Sequence, residues 1–372
     1  MKLGILYTMI NGFGRRGYYN SQEIGLGRAL ARKGHEVMIY KGIDPSEKEE
    51  KVQVEKNLTI WYLPMKHLGA HGFMDCKYLD PQLKALFCFG DQQIFLPHVY
   101  RWCRRRRIPF VAYVGTAHSL DSNFKSKVMN ALFAAGTLRI YKKNPVLAKT
   151  SAAKEELRQL GVPHAVIAPV GLDNAVLKKN IPADEKMRLR KEHGFEADDV
   201  ILCNVSRLSW EKRPLELIDL FLQVKGKKKF KLIIVGNGPL EEELNEKIRK
   251  NGLEKEVKIY PNVPYEKMWE IYEMSDYYLN MNKGEIFGMA IMEAVYYKTS
   301  VAAIRALGPS VTLKDMKGHK LCENDDEMAE WITGPYPSEK DLQESSEKMA
   351  ATFTWDRCAD AFLQASSEKS SR

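Results

Sequence analysis

The sequence has no run approaching the roughly 18–20 apolar residues of a membrane-spanning helix. Its six cysteines (Cys76, Cys88, Cys103, Cys203, Cys322 and Cys358) are scattered, with no Cys-x-x-Cys pair among them. A disulfide framework and a thiolate metal centre are therefore not expected, and free thiols in a reducing cytoplasm are. The opening Met1-Lys2-Leu3-Gly4-Ile5-Leu6-Tyr7 is too short an apolar run, and too soon followed by Gly12, Gly14, Arg15 and Arg16, to predict a secretory leader. Acidic residues are in deficit: 48 Asp and Glu against 57 Lys and Arg leave a formal charge of +9, which favours an anionic partner without choosing one. With 25 Gly and 16 Pro in 372 residues, neither a collagen-like nor a low-complexity architecture is expected.

What is present suits two domains. Short apolar runs alternate with stretches of helical spacing. Leu3–Tyr7 reads as a strand, residues 21–33 as a helix closed by Gly34, Val37–Tyr40 as a strand, then a polar loop to Lys56 and a strand over Leu58–Leu63. Arg101–Arg107 reads as a helix end before the strand Phe110–Val114. Val146–Ala148 and Ala165–Ile167 read as strands around a helix over Ser151–Leu160. A second series begins at Val200–Val205. It continues with a helix near Leu215–Val224, strand Lys231–Val235, helix Pro239–Asn251, strand Val257–Tyr260, helix Tyr265–Met274, strand Tyr277–Asn280, helix Phe287–Tyr297 and strand Ser300–Ala303. Repeated βα units predict an α/β protein with parallel sheets, broken at the polar stretch Asn174–Asp199. Two such sheets facing one another would form a cleft, and open α/β sheets bind ligands beyond the carboxyl ends of their strands.

Candidate residues cluster just after strands. In Gly284-Glu285-Ile286-Phe287-Gly288-Met289-Ala290-Ile291-Met292-Glu293, the two glutamates are eight apart and, at about 100° per residue, fall within about 80° of each other on a helix. The amides of Phe287, Gly288 and Met289 would be first-turn donors suited to an anionic oxygen, and Gly288 permits close backbone approach. Arg207 and Lys212, five apart after the strand Val200–Val205, could clamp a diphosphate, one by its fork and the other as a point charge. Gly236 and Gly238 form a glycine-rich turn between a strand and a helix, where backbone can approach a phosphate or sugar. Each motif alone has a bland reading: a capping glutamate, solvated cations, an ordinary turn.

Taken in order, Arg207-x4-Lys212, Gly236-x-Gly238-Pro239 and Glu285-x7-Glu293 with Phe287-Gly288 resemble the C-terminal domain of the retaining glycosyltransferases of family 4, the glycosyl transferases group 1. Weaker matches run through the first half: residues 30–37, His118 at the family's active-site histidine, Ser151, and Pro169-Val170-Gly171-Leu172-Asp173. Phe353-Thr354-Trp355 resembles the family's closing helix. The resemblance implies a GT-B fold of two Rossmann-like domains facing across a central cleft. Residues 1–174 would bind the acceptor, residues 175–352 the nucleotide sugar, and residues 353–372 would form a helix returning to the first domain. It further implies that Arg207 and Lys212 hold the donor diphosphate and that Glu293 holds the ribose. Glu285 with the 287–289 amides would hold the sugar, and His118 would face the sugar or acceptor. No metal or other cofactor is expected, and the other seven histidines show no ligand spacing.

The sequence also departs from the family pattern. The loop Gly12-Phe13-Gly14-Arg15-Arg16-Gly17 lacks adjacent glycines, so Gly17, then Gly14, is matched to the donor-phosphate loop. Ile286 stands where glycine is common, and Tyr296-Tyr297-Lys298-Thr299-Ser300 replaces a small Gly/Pro turn.

The basic run Arg101, Arg104, Arg105, Arg106 and Arg107, with Lys125, Lys127, Arg139, Lys142 and Lys143 around the partly apolar Val128–Ile140, could seat the first domain on an anionic membrane. The expectation is a cytoplasmic enzyme, at the inner face of the cell membrane, that moves a sugar from a UDP-linked donor to a glycan or lipid-linked acceptor in bacterial envelope or exopolysaccharide synthesis. The rivals are a sugar-nucleotide epimerase of the same fold and a basic nucleic-acid-binding protein. The latter lacks any recognised module, so no nucleic-acid partner is expected. A nicotinamide-dependent oxidoreductase ranks below both.

Overall fold

The computed structural model describes residues 1–10, 21–117, 124–173 and 176–368. These divide into two compact units: residues up to Asp173 with those from Phe353 on, and residues 176–352.

The first unit begins with β1 (Lys2–Tyr7), α1 (Gln22–Arg32), β2 (Glu36–Ile43), β3 (Glu50–Glu55) and β4 (Leu58–Pro64). A minimal hairpin, β5 (His67–Leu68) and β6 (His71–Gly72), leads to β7 (Ala85–Phe89), α2 (Leu96–Arg105) and β8 (Phe110–Val114). Next come α3 (Phe124–Ala135), α4 (Thr137–Tyr141), β9 (Val146–Ala148), α5 (Ser151–Gln159) and β10 (Val166–Ile167). Eight strands form one sheet in the order β10-β9-β8-β7-β1-β2-β4-β3, parallel except for β3. β7 and β8 are buried at every position, as central parallel strands covered on both faces must be.

Two expectations are corrected here. The polar stretch before Lys56 is not all loop, because Glu50–Glu55 pairs antiparallel to β4, with Val52 opposite Ile60. Lys51 lays its amine 3.6 Å above the Trp61 ring, and a charged, exposed strand is what a sheet edge tolerates. Ala85–Phe89, assigned no element in the sequence reading, is a central strand.

The second unit contains α6 (Glu185–Glu192), β11 (Val200–Val205), α7 (Pro214–Val224), β12 (Phe230–Val235), α8 (Glu241–Lys250) and β13 (Val257–Tyr260). It continues with α9 (Met268–Met274), β14 (Tyr277–Asn280), α10 (Met289–Tyr296), β15 (Ser300–Ile304), α11 (Leu307–Thr312), β16 (Lys320–Cys322), α12 (Asp325–Thr333) and α13 (Glu339–Thr352). Its wholly parallel sheet runs β13-β12-β11-β14-β15-β16. The charged stretch expected as a simple break holds α6, whose buried Arg190 donates 2.6 Å to Asp276 and 2.9 Å to the Met274 carbonyl. Helices α8 and α10 start two residues later than their spacing predicts, at Glu241 and Met289. Gly288 holds the left-handed conformation (φ 83°) that precedes α10.

The last helix, α14 (Trp355–Glu368), belongs to the first unit. Leu172 donates its amide to the Phe353 carbonyl at 2.9 Å, and a Cβ on Gly171 would lie 2.0 Å from the Trp355 nitrogen. The fully buried Trp355 indole fills the space a Cβ on Gly25 of α1 would occupy. Lys33–Asp360 (2.7 Å) and Arg32–Asp356 (3.1 Å) border the seam. Trp355→Ala should leave a cavity no neighbour can close and cost about 3–5 kcal/mol, read as a lower urea midpoint at unchanged slope. A loss below about 1 kcal/mol would mean that α14 is not anchored through this residue.

Candidate functional site

In the second sheet the strand order reverses between β11 and β14, the place where open α/β sheets hold ligands. These strands pair only through Leu202–Tyr277 and Cys203–Tyr278. One residue further the Asn204 side chain takes over, donating Nδ2 to the Leu279 carbonyl at 2.8 Å while its Oδ1 accepts from the Ser206 hydroxyl at 2.8 Å. Beyond that stitch the two chains separate into the segments that carry Lys212 and Glu285.

Lys212 Nζ lies 2.8 Å from Glu285 Oε2, the lysine side chain 23% exposed and the glutamate 15%. The same carboxylate oxygen accepts from Asn282 Nδ2 at 3.1 Å. Asn282 is set by its own backbone and its neighbours: its amide donates to Asn280 Oδ1 (3.0 Å) and its Oδ1 accepts the Gly284 amide (2.9 Å). Burial works to raise the Glu285 pKa. The Lys212 charge and hydrogen bonds from Lys212, Asn282 and Asn280 outweigh it and hold the carboxyl below the ordinary range. The Glu285 carbonyl accepts the Gly308 amide at 2.8 Å. Gly308 is required there, since a Cβ would meet the Phe287 backbone at 2.6–2.7 Å.

Glu293 lies on α10, which Gly288 opens and Met289 begins, and is 5% exposed. Tyr272 donates to its Oε2 at 2.9 Å and Tyr265 to its Oε1 at 3.3 Å. Burial, then the Glu293 charge, pushes the Tyr272 hydroxyl far above its usual pKa, which keeps it a donor. Phe287, ahead of the helix, is buried.

Arg207 and Lys212 pair with different carboxylates. Arg207 Nη2 pairs with Glu211 Oε1 at 2.7 Å within its own turn, whereas Lys212 reaches across to Glu285. Glu211 is held at a pKa of about 2: burial opposes this, and hydrogen bonds from Ser209 and Arg207 prevail. The Gly236–Gly238 turn serves the same loop from beneath. A Cβ on Gly236 would lie 1.9 Å from the Ser206 carbonyl oxygen, and one on Gly238 2.4 Å from that of Leu208. Leu208 exchanges hydrogen bonds with this turn, its amide donating to Asn237 (2.8 Å) and its carbonyl accepting from Leu240 (3.0 Å). Both glycines thus let the turn pack closely against the Ser206–Leu208 backbone that carries Arg207.

His118, Gly14 and Gly17 lie outside the described residues. Sequence reasoning passed over Asn280, Asn282, Tyr265, Tyr272 and Gly308. The Asn-x-Asn step at a strand's carboxyl end was the one signal available for any of them. Among the described residues, no group of three or more His, Cys, Asp or Glu side chains could hold a metal ion.

Known proteins similar to this chain bear on its fold and its class of activity. Residues 185–348 match the family described as glycosyl transferases group 1. The D-inositol 3-phosphate glycosyltransferase of Xylanimonas cellulosilytica is 23% identical over 97% of this chain and 94% of its own length. The alpha-monoglucosyldiacylglycerol synthase of Acholeplasma laidlawii is 20% identical over 73% of each chain. Anabaena HepE, solved in complex with UDP and glucose, superposes over the full length of both chains with a TM-score of 0.70 at 17% identity. The fold is GT-B, and the protein is a transferase enzyme, a glycosyltransferase.

The Lys212–Glu285 pair sets a pH signature. In the unaltered protein the depressed Glu285 contributes stability that is complete above the unfolded carboxylate pKa of about 4.3 and lost as pH falls through the lower folded value. In Lys212→Met burial would prevail and raise the folded pKa, so the Glu285 contribution should instead turn destabilising as pH rises from about 4 to 7. Melting temperatures across that range should show the stability slope move in the destabilising direction in the variant; an unchanged profile would mean that Lys212 does not govern Glu285.

Proposed function

We propose that this GT-B glycosyltransferase is a retaining enzyme of family 4 that moves a hexosyl group from a UDP-linked donor to a lipid-linked or glycan acceptor. The observation that carries the reading is the part-buried Lys212–Glu285 pair at the strand-order switch, with the buried carboxylate Glu293 on α10, the helix that follows Glu285. A departing nucleoside diphosphate develops negative charge, and a fixed lysine ammonium in a partly buried setting stabilises it without a metal ion. Lys212 supplies that charge, with Arg207 joining once its guanidinium exchanges Glu211 for phosphate. Glu293 accepts from ribose hydroxyls. Glu285 and the backbone from Phe287 to Met289 hold the sugar, and Gly14, Gly17 and His118 complete the donor and acceptor contacts. In the transfer, the bond from the anomeric carbon to the diphosphate oxygen breaks and its electron pair leaves with the nucleotide. The acceptor oxygen bonds to the same face of that carbon, and its proton passes to the departing phosphate.

One relative is a D-inositol 3-phosphate glycosyltransferase and another an alpha-monoglucosyldiacylglycerol synthase, and the second of these supports a lipid-linked acceptor for a cytoplasmic enzyme of envelope or exopolysaccharide synthesis. A membrane-facing acceptor also suits α3. Val128, Ala131, Leu132 and Ala135 are exposed on one of its faces, Lys127 lies at the margin, and Met129 and Phe133 turn inward to the core. The sequence has no acidic residue between Asp121 and Glu155, and Arg139, Lys142 and Lys143 are exposed. The proposed contact is peripheral, through this helix face; no helix among the described residues is long and apolar enough to cross a membrane.

Titration with UDP-, GDP-, ADP- and dTDP-sugars in EDTA should show a dose-dependent thermal stabilisation by the UDP-linked donor. Glu293→Ala should remove most of that stabilisation. Stabilisation that requires a divalent cation would overturn the metal-free reading, and selectivity for another base would replace UDP. Flotation with phosphatidylglycerol vesicles, but not phosphatidylcholine vesicles, should carry the protein, and Val128→Glu with Leu132→Glu should abolish it. Equal recovery with both lipids would remove the anionic membrane as a partner.

A further inference from the structure

Lys212 is followed by a residue whose backbone and side chain are both unusual. Arg213 adopts a left-handed conformation (φ 55°, ψ 48°) between the short 3-10 turn Trp210–Lys212 and Pro214, the first residue of α7. An L-residue enters that region at a cost that glycine does not bear, and it stays there only when its surroundings fix it.

What fixes Arg213 is its guanidinium. Nη2 and Nη1 form a fork on Asp325, at 2.8 and 3.1 Å, and Asp325 is the first residue of α12. Nε donates to Glu216 at 3.2 Å, one turn into α7. Nη1 also reaches the Met281 carbonyl at 3.4 Å. Met281 follows β14 and opens the segment that carries Asn282 and Glu285. One side chain therefore joins three pieces of chain that the sheet leaves separate beyond its edge: the Arg207–Lys212 loop, the Met281–Glu285 segment and the start of α12. Its fork is the two-point geometry that a lysine or a neutral residue at 213 would not reproduce.

We propose that Arg213 is a positioning residue for the transferase reaction, holding Lys212 at the place where the donor diphosphate is received through its fork on Asp325. The inference rests on the reading of Lys212 as the diphosphate-binding cation. Arg213 itself touches Asp325, Glu216 and the Met281 carbonyl and has no role at the reacting atoms. The left-handed backbone turns the chain sharply after Lys212, so that the lysine points to Glu285 while the next side chain points to α12. The fork holds that turn in place when Lys212 exchanges Glu285 for phosphate.

The test compares a nucleoside diphosphate with its monophosphate by calorimetric titration, using whichever of UDP, GDP and ADP the unaltered protein binds most tightly. Arg213→Gly suits the left-handed backbone and removes only the side chain; Asp325→Ala removes the fork from the other end. Each should weaken the diphosphate about tenfold, the scale of one well-made charge-assisted contact, while the monophosphate changes by less than about twofold. The double variant should be no worse than either single one, because the two residues act as a unit. Equal weakening of both nucleotides would show a merely structural role and overturn the proposal, as would diphosphate affinity unchanged in both variants. Lys212→Ala separates the two levels of inference. If it loses diphosphate affinity while the Arg213 and Asp325 variants keep it, the positioning role fails and the clamp stands. If it binds the diphosphate like the unaltered protein, or if none of the three diphosphates binds, the clamp reading fails and the positioning role falls with it.

Discussion

Two opposite charges held 2.8 Å apart at the point where a parallel sheet changes direction set the terms for the rest of this unit. Lys212 and Glu285 each follow a strand, and each strand is a central member of the sheet. Neither charge would be stable so little exposed without the other, since a lone buried ion carries a desolvation penalty of several kcal/mol. The ammonium has donors beyond the one it gives Glu285. A phosphate arriving there would replace one oxyanion by another without first having to bury a bare cation. On the proposed reading, such an arrangement would be preorganised for an anion: the positive charge is already partly desolvated and held in place by Glu285.

The scaffold around that pair shows which glycines do which task. Gly288 turns the chain through a left-handed residue so that α10 starts at Met289, and Gly308 lets α11 press against the Phe287 backbone. Gly236 and Gly238 are spent on close contact with the carbonyls of Ser206 and Leu208. Here the space a side chain would have taken is filled by the protein's own backbone, and the turn supports the loop that carries the cations.

The sequence made the second unit legible almost strand for strand, because its parallel strands are largely apolar and alternate with helices that show an apolar face. Val200–Val205, Val257–Tyr260 and Tyr277–Asn280 have the same limits in the sequence reading and in the structure. Legibility failed where charge concealed a tertiary role. Arg190 reads as one more cation in a polar break, yet it is buried against Asp276. Glu50–Glu55 reads as a loop because an edge strand needs no apolar face. Arg207 and Lys212, neighbours in sequence, bind different carboxylates because the 3-10 turn between them sends their side chains apart. Residues 12–17 have the Gly-x-Gly-x-x-Gly spacing of a dinucleotide-binding turn as well as a place in the glycosyltransferase pattern, and spacing alone does not choose between them. For that stretch the choice comes from the second unit's motifs.

The departures from the family pattern after Glu293 gain a physical role in the same way. Tyr297 closes α10, and its ring stacks on Tyr272 with centroids 5.9 Å apart and planes 10° from parallel. Its hydroxyl accepts the Lys178 amide at 3.0 Å. Tyr272, held from that side, donates to Glu293, and its carbonyl accepts the Thr299 hydroxyl at 2.8 Å. The bulky Tyr-Tyr-Lys-Thr-Ser turn therefore braces the tyrosine that orients the buried carboxylate. Lys298 takes the left-handed conformation (φ 59°) that glycine would have adopted without strain. A small turn would leave Tyr272 packed on one face only. Tyr297 thus braces the Tyr272 ring whose hydroxyl, with that of Tyr265, holds the Glu293 carboxylate.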